Sequence, residues 1–175
     1  MKNLKFLTLA IAILGFTATS FAQSEKTASS DAKATIITPL SIENNTELNF
    51  GSIAPSSSVA GTVILDASAT ASRNPSTGIS LPEITVTATA AKFTVTGEGN
   101  SAFTITLPAE DVTLTGSVSG TMTIASSSFT SSTELLSTAL EGGTKVFFVG
   151  GTLNVGANQA KGDYTGTFDV TVNYN

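Results

Sequence analysis

Apolar and hydroxyl-bearing residues alternate along much of this chain, most clearly at its end. Tyr164, Gly166, Phe168, Val170, Val172 and Tyr174 fall on one face, with Thr165, Thr167, Asp169, Thr171 and Asn173 on the other. A period of two held over eleven residues scatters apolar groups around a helix but aligns them along a strand. The pattern predicts one long, half-buried strand over 164–174. Phe93 and Val95 alternate with Thr94 and Thr96. After Gly97-Glu98-Gly99-Asn100, Phe103, Ile105 and Leu107 alternate with Thr104 and Thr106, which predicts a hairpin. Val146-Phe147-Phe148-Val149 is apolar at every position and reads as a strand covered on both faces or lying near a capped edge.

Eleven strands are predicted in all, over 35–42, 48–53, 62–66, 83–88, 92–96, 102–107, 112–117, 121–125, 145–149, 152–155 and 164–174, separated by Gly, Pro, Asn and Asp. Gly150-Gly151 marks a bulge or a tight bend where a strand changes sheets. The stretches 68–77 and 126–132 read as long loops, and only 132–140 has the composition for a helical turn. Many short strands without an amphipathic helix predict an all-β, antiparallel sandwich of two sheets.

The first residues follow a different pattern. Lys2 and Lys5 precede an apolar run over 6–16, and Ser20-Phe21-Ala22 places small residues where a signal peptidase reads. Eleven apolar residues fall short of a hydrocarbon core about 30 Å thick. Residues 1–22 are therefore expected to be a secretion signal, 23–33 a flexible tail and 34–175 a single domain, with no membrane insertion after the signal is removed. Its destination is the periplasm, the cell surface or the medium.

Composition narrows the chemistry. Thirteen acidic residues stand against eight basic ones, and a negative chain whose only arginine is Arg73 suits neither nucleic acid nor an anionic membrane. The absence of cysteine excludes both a lipidated N-terminus and disulfide staples, leaving the core alone to hold an exported domain. Without histidine or cysteine the commonest general base, the thiolate nucleophile and the usual zinc ligands are missing. Glu110-Asp111 are adjacent carboxylates, which a strand points to opposite faces, and Pro108 suggests a turn there. Asp66, Glu110, Asp111 and Asp163 sit at predicted strand ends where calcium would need them, yet no calcium-loop spacing joins them. No enzyme and no cofactor is expected.

Leu48-Asn49-Phe50-Gly51 near the start, and Ala160-Lys161-Gly162-Asp163-Tyr164-Thr165 leading into the terminal alternating strand, resemble fimbrial subunits of the archaic chaperone–usher type, the spore coat protein U-like proteins among them. The whole mature chain more closely resembles an uncharacterised family of secreted bacterial proteins, domain of unknown function 4402. That likeness rests on residues 34–42, the same Leu-Asn-Phe-Gly, Phe93-Thr94-Val95-Thr96-Gly97, Val149-Gly150-Gly151-Thr152-Leu153 and the final strand.

The fimbrial likeness implies an incomplete immunoglobulin-like sandwich that a neighbour completes with an added strand. It makes Phe168, Val170, Val172 and Tyr174 the groove and pairing edge, with Ile36 and Ile37 on a linking strand. The implied partners are further copies of the chain and a periplasmic chaperone. Residues 34–38 equally fit the domain's own first strand. The expected function is a pilin-like subunit or surface matrix component. The alternative is a monomeric exported module that holds a carbohydrate or other ligand on its loops.

Overall fold

The computed structural model describes residues 25–83 and 86–175. The chain divides into two units, Met1–Thr35 and Ile36–Asn175. In the first, the described residues 25–35 form no strand or helix and are exposed. The secretion signal read over 1–22 lies outside the described residues. No helix among the described residues is long and apolar enough to cross a membrane.

The second unit is an all-β, immunoglobulin-like sandwich of antiparallel sheets, with strands numbered in chain order. A nine-stranded sheet runs through β1 (Ser41–Thr46), β6 (Ala91–Thr96), β12 (Thr144–Val155), β9 (Thr121–Ile124), β8 (Val112–Gly116) and β13 (Tyr164–Thr165). β3 (Gly61–Leu65) and β10 (Thr130–Ser131) also pair with β12, and β4 (Arg73–Pro75) extends β3. A three-stranded sheet sets β7 (Ala102–Thr106) between β11 (Thr138–Ala139) and β14 (Thr171–Tyr174). β2 (Ala54–Pro55) pairs with β5 (Ile79–Ser80).

Alternation explains the core. Val63, Leu65, Val95, Phe103, Phe147 and Val149 are fully buried, each alternating with outward neighbours such as Thr62, Thr94, Thr96 and Thr104. Phe147 lies opposite Phe93 in the β12–β6 ladder, and their rings stack with centroids 5.4 Å apart. Burying one such side chain contributes about 1.5–3 kcal/mol.

β12 joins the two halves of the large sheet. Its first half pairs with β6 and β10 and its second with β3 and β9. The change comes at Gly150-Gly151, as the sequence predicts. The Leu65 carbonyl and the Asp66–Ala67 backbone press against Gly150 where a side chain would stand. The separate strands expected over 145–149 and 152–155 are thus one element. Its apolar start is fully covered on one face and partly on the other: Phe147 and Val149 are buried, Phe148 is half-buried and Val146 is 42% exposed.

Further expectations are corrected. The turn after β6 exists, with Asn100 at φ 63°, but β6 and β7 belong to different sheets, so the chain arches across the core instead of forming a hairpin. Period-two patterning fixes which face a strand buries, not which strand it pairs with. The long terminal strand is two, β13 on β8 and β14 on β7, as the chain passes from one sheet to the other at 166–170. The first strand begins at Ser41, not Thr35. Residues 132–140 hold β11 and no helix, whereas a 3-10 turn forms at Ser126–Ser128 inside a predicted loop. Arg73–Pro75 forms a strand in the other predicted loop. Residues 48–53 hold an isolated bridge at Asn49 in place of a continuous ladder. Residues 83 and 86–88 of the predicted 83–88 strand carry no ladder, and 84–85 lie outside the described residues.

Candidate strand-acceptor cleft

The terminal strands leave backbone groups without a neighbour. Asn175 N–H donates to the Ala102 carbonyl at 3.2 Å, and Asn173 and Thr171 follow in phase opposite Thr104 and Thr106. Backbone groups alternate sides along a strand, so the N–H and C=O of Val172 and Tyr174 point away from β7. The same holds at β13. Ser117 N–H donates to the Asp163 carbonyl at 2.8 Å and Thr165 opposes Thr115, so the backbone of Tyr164 points away from β8. β13 and β14 each end their sheet.

Opposite β13 runs the segment 47–53, which carries Leu-Asn-Phe-Gly. Asn49 exchanges two backbone hydrogen bonds of 2.8 Å with Thr89. Its side-chain Oδ1 accepts the Gly51 N–H at 2.8 Å, closing a local turn. Phe50 is anchored in the core. The Arg73 guanidinium donates to the carbonyls of Phe50, 3.1 Å, and Ser52, 2.9 Å, and so holds the bend from behind.

Between this segment and residues 159–166 lies a cleft of about 670 Å³. Leu114, Met122, Leu153 and Val155 line it with apolar surface, and Glu47, Lys161 and Asp163 line it with charge. Charged groups at 47, 161 and 163 are exposed to solvent, so the polarity sits at the rim.

Away from the cleft, Tyr174 ties the entry to β1 to the turn after β6. Its hydroxyl donates to the Thr38 carbonyl at 2.7 Å and accepts the Glu98 N–H at 2.6 Å. The Glu98 carboxylate accepts the Thr38 N–H at 3.0 Å, and this bond holds its pKa below the ordinary glutamate value. The Tyr174 hydroxyl lies where a side chain on Gly97 would begin, with Leu40 and Leu140 close by. Gly97 is required there by close approach.

Phe168, Val170, Val172 and Tyr174 all pack half-buried against the core, as expected of one face. Phe168 meets Phe129 with ring centroids 5.1 Å apart. Ile36 and Ile37 are not brought to these four. They precede β1 without a ladder, 98% and 49% exposed. Sequence reasoning quoted Leu48–Gly51 and Tyr164 but did not join them into one cleft, and it gave Arg73 no role. Only the motif hinted at the cleft, because β13 and 47–53 are far apart in sequence and meet through topology.

Among the described residues no three acidic side chains gather as a metal site requires. The Asp66 carboxylate takes the Ser72 hydroxyl. Asp111 accepts the Ser126 N–H at 2.8 Å.

Comparison with curated proteins and with solved structures found no match. The family described as Domain of unknown function (DUF4402) matches residues 40–174, from the entry into β1 to the end of β14. The chain is a member of that family.

Proposed function

We propose that this protein is an exported, non-enzymatic structural or adhesive subunit that assembles by β-strand pairing, its cleft receiving an extended segment of a second copy. The observation that carries this reading is the cleft between 47–53 and β13. It has an apolar floor, and the backbone of Tyr164 on its wall lacks a strand partner. A strand laid there would gain main-chain hydrogen bonds along the edge and set alternate side chains into the floor. The occupant is the segment around Ile36 and Ile37. Ile36 and Ile37 belong to no ladder, and these two β-branched side chains leave apolar surface exposed that pairing would cover. A periplasmic chaperone holding the same edge until assembly fits this chemistry, because a free edge otherwise invites aggregation.

The mass in solution of the chain from residue 23, exported with its signal, tests the reading beside a form starting at Thr38. Mild-detergent gels with and without heating complete it. Heat-sensitive oligomers that disappear on truncation are expected. A cooperative monomer at all concentrations would end the assembly reading and leave the cleft as a ligand site, since its volume lies in the range that holds small molecules.

A further inference from the structure

The wall of the cleft over 159–164 is tied to the β8–β9 turn at several points. Ser117 N–H donates to the Asp163 carbonyl at 2.8 Å, and Ser117 Oγ accepts the Asp163 N–H at 3.1 Å. Gln159 Nε2 donates to the Thr121 carbonyl at 3.2 Å and to the Tyr164 hydroxyl at 2.8 Å, while its Oε1 accepts the Gly156 N–H at 3.2 Å. The Tyr164 hydroxyl in turn lies 2.7 Å from the Ala160 carbonyl and 3.1 Å from the Ser119 carbonyl, with one proton to give. A tyrosine hydroxyl bonded to the backbone four residues upstream is the device of a tyrosine corner. The ring takes up the space over the turn. A methyl group on Gly116 would stand 2.8 Å from it, and one on Gly120 would stand 3.1 Å from Gln159 Nε2.

We infer that Tyr164 is a positioning residue of the acceptor cleft, its hydroxyl holding the wall so that its own outward backbone is already set for the incoming strand. This rests on the strand-acceptor reading above and adds to it how the receiving edge is prepared. Gln159, Ala160, Asp163 and Tyr164 all line the cleft, so the hydrogen-bond network and the edge are one stretch of chain. The two parts of Tyr164 serve different neighbours. Its side chain is committed to the turn and to Gln159, while its N–H and C=O point away from β8, where Gly116 lies opposite. A wall fixed beforehand spares the entering strand the cost of ordering it. Without the hydroxyl, Gln159 keeps its bonds to Thr121 and Gly156 but loses the one to Tyr164. The wall is then held by fewer anchors, and binding must order it first.

Titration of the full mature chain, held dilute enough to be monomeric, with a synthetic peptide copying residues 30–38 tests this. Amide hydrogen exchange locates the bound peptide. Tyr164→Phe keeps the ring and loses the hydroxyl bonds, and Gln159→Leu cuts the same network from its other side; either variant alone carries the test, provided its circular dichroism spectrum matches wild type. Phe147→Leu, which loosens the core outside the cleft, shows what a loss of stability does by itself. Wild type is expected to bind the peptide and to protect the Tyr164 amide. The two network variants should bind about tenfold more weakly, the effect of roughly one hydrogen bond, and Phe147→Leu should bind as wild type does. Unchanged affinity in the folded network variants overturns the positioning role while the strand-acceptor reading stands. So does an equal loss in Phe147→Leu, since the effect is then one of stability alone. If wild type does not bind the peptide, or binds it without protecting the Tyr164 amide, the strand-acceptor reading itself falls, and the positioning role with it.

Discussion

A single hydroxyl near the end of β14 secures the entry to β1. The Tyr174 hydroxyl donates to the Thr38 carbonyl and accepts the Glu98 N–H, while the Glu98 carboxylate accepts the Thr38 N–H. Because Glu98 has a folded-state pKa below its ordinary value, the stabilisation it gives is present above the ordinary glutamate range and is lost as pH falls through the lowered value. The Thr38 amide resonance is therefore expected to keep its hydrogen-bonded shift at neutral pH and lose it on acidification, with a midpoint below the ordinary glutamate value. In Glu98→Gln the shift should be flat with pH, since an amide oxygen accepts without titrating. A wild-type midpoint at or above that value would mean that Glu98 does not hold Thr38. Tyr174→Phe should lower stability by about 0.5–1.5 kcal/mol in denaturant unfolding. A larger cost is expected in the core, where Phe147→Ala removes a fully buried ring stacked on Phe93 and should lose about 3–5 kcal/mol. Buried positions were legible in the sequence where alternation marks them one by one, and Phe93, Val95, Phe103 and Ile105 lie inside as read. The role of Tyr174 as a tie was not legible, since its partners lie 76 and 136 residues away.

At the scale of elements, β12 shows what local pattern can and cannot specify. Its buried face continues from Phe147 through Leu153 to Val155 across Gly150-Gly151, and the glycine pair marks where its pairing partners change. Gly150→Ala would push a methyl group into the Leu65 carbonyl. This should cost at least about 1–3 kcal/mol, the usual penalty of overpacking, whereas Gly142→Ala meets no neighbouring atom and suffers only from its positive φ of 63°. Comparing the two unfolding midpoints separates packing from backbone strain. Equal losses would contradict the close approach at Gly150. The arch between β6 and β7 escaped the sequence because Gly97–Asn100 serves a hairpin and a sheet-to-sheet crossing equally well. The split of 164–174 into β13 and β14 escaped for the same reason. Alternation continues unbroken through the crossing, so the side chains keep one face inward while the backbone changes partner.

Within the β unit, the sheets close around one core, and among the strands at sheet ends are β1 near its start and β13 and β14 near its end. β1, β13 and β14 each terminate a sheet, and the cleft lies between the stretch that follows β1 and the one that holds β13. A chain without cysteine draws no stability from disulfides, so an added strand is a direct way to cover remaining apolar surface. The fold class was readable from the whole pattern of short alternating strands. The cleft was not, because it is defined by a neighbour that is missing, and no local pattern encodes a gap. Pairing at the edge makes a simple forecast in turn: Val172→Pro, which deletes an outward N–H without removing a β7 bond, should weaken assembly more than it weakens the monomer. Solution mass set against the unfolding midpoint checks this.

The most direct measurement is residue-resolved amide exchange of the full mature chain as its concentration is raised from monomer into the assembled range. Strand addition predicts that the outward amides of Tyr164 and Val172 slow on assembly while Thr171 and Asn173, already bonded to β7, do not change. Assembly that leaves Tyr164 and Val172 exchanging as in the monomer would contradict it, as would a chain that stays monomeric throughout.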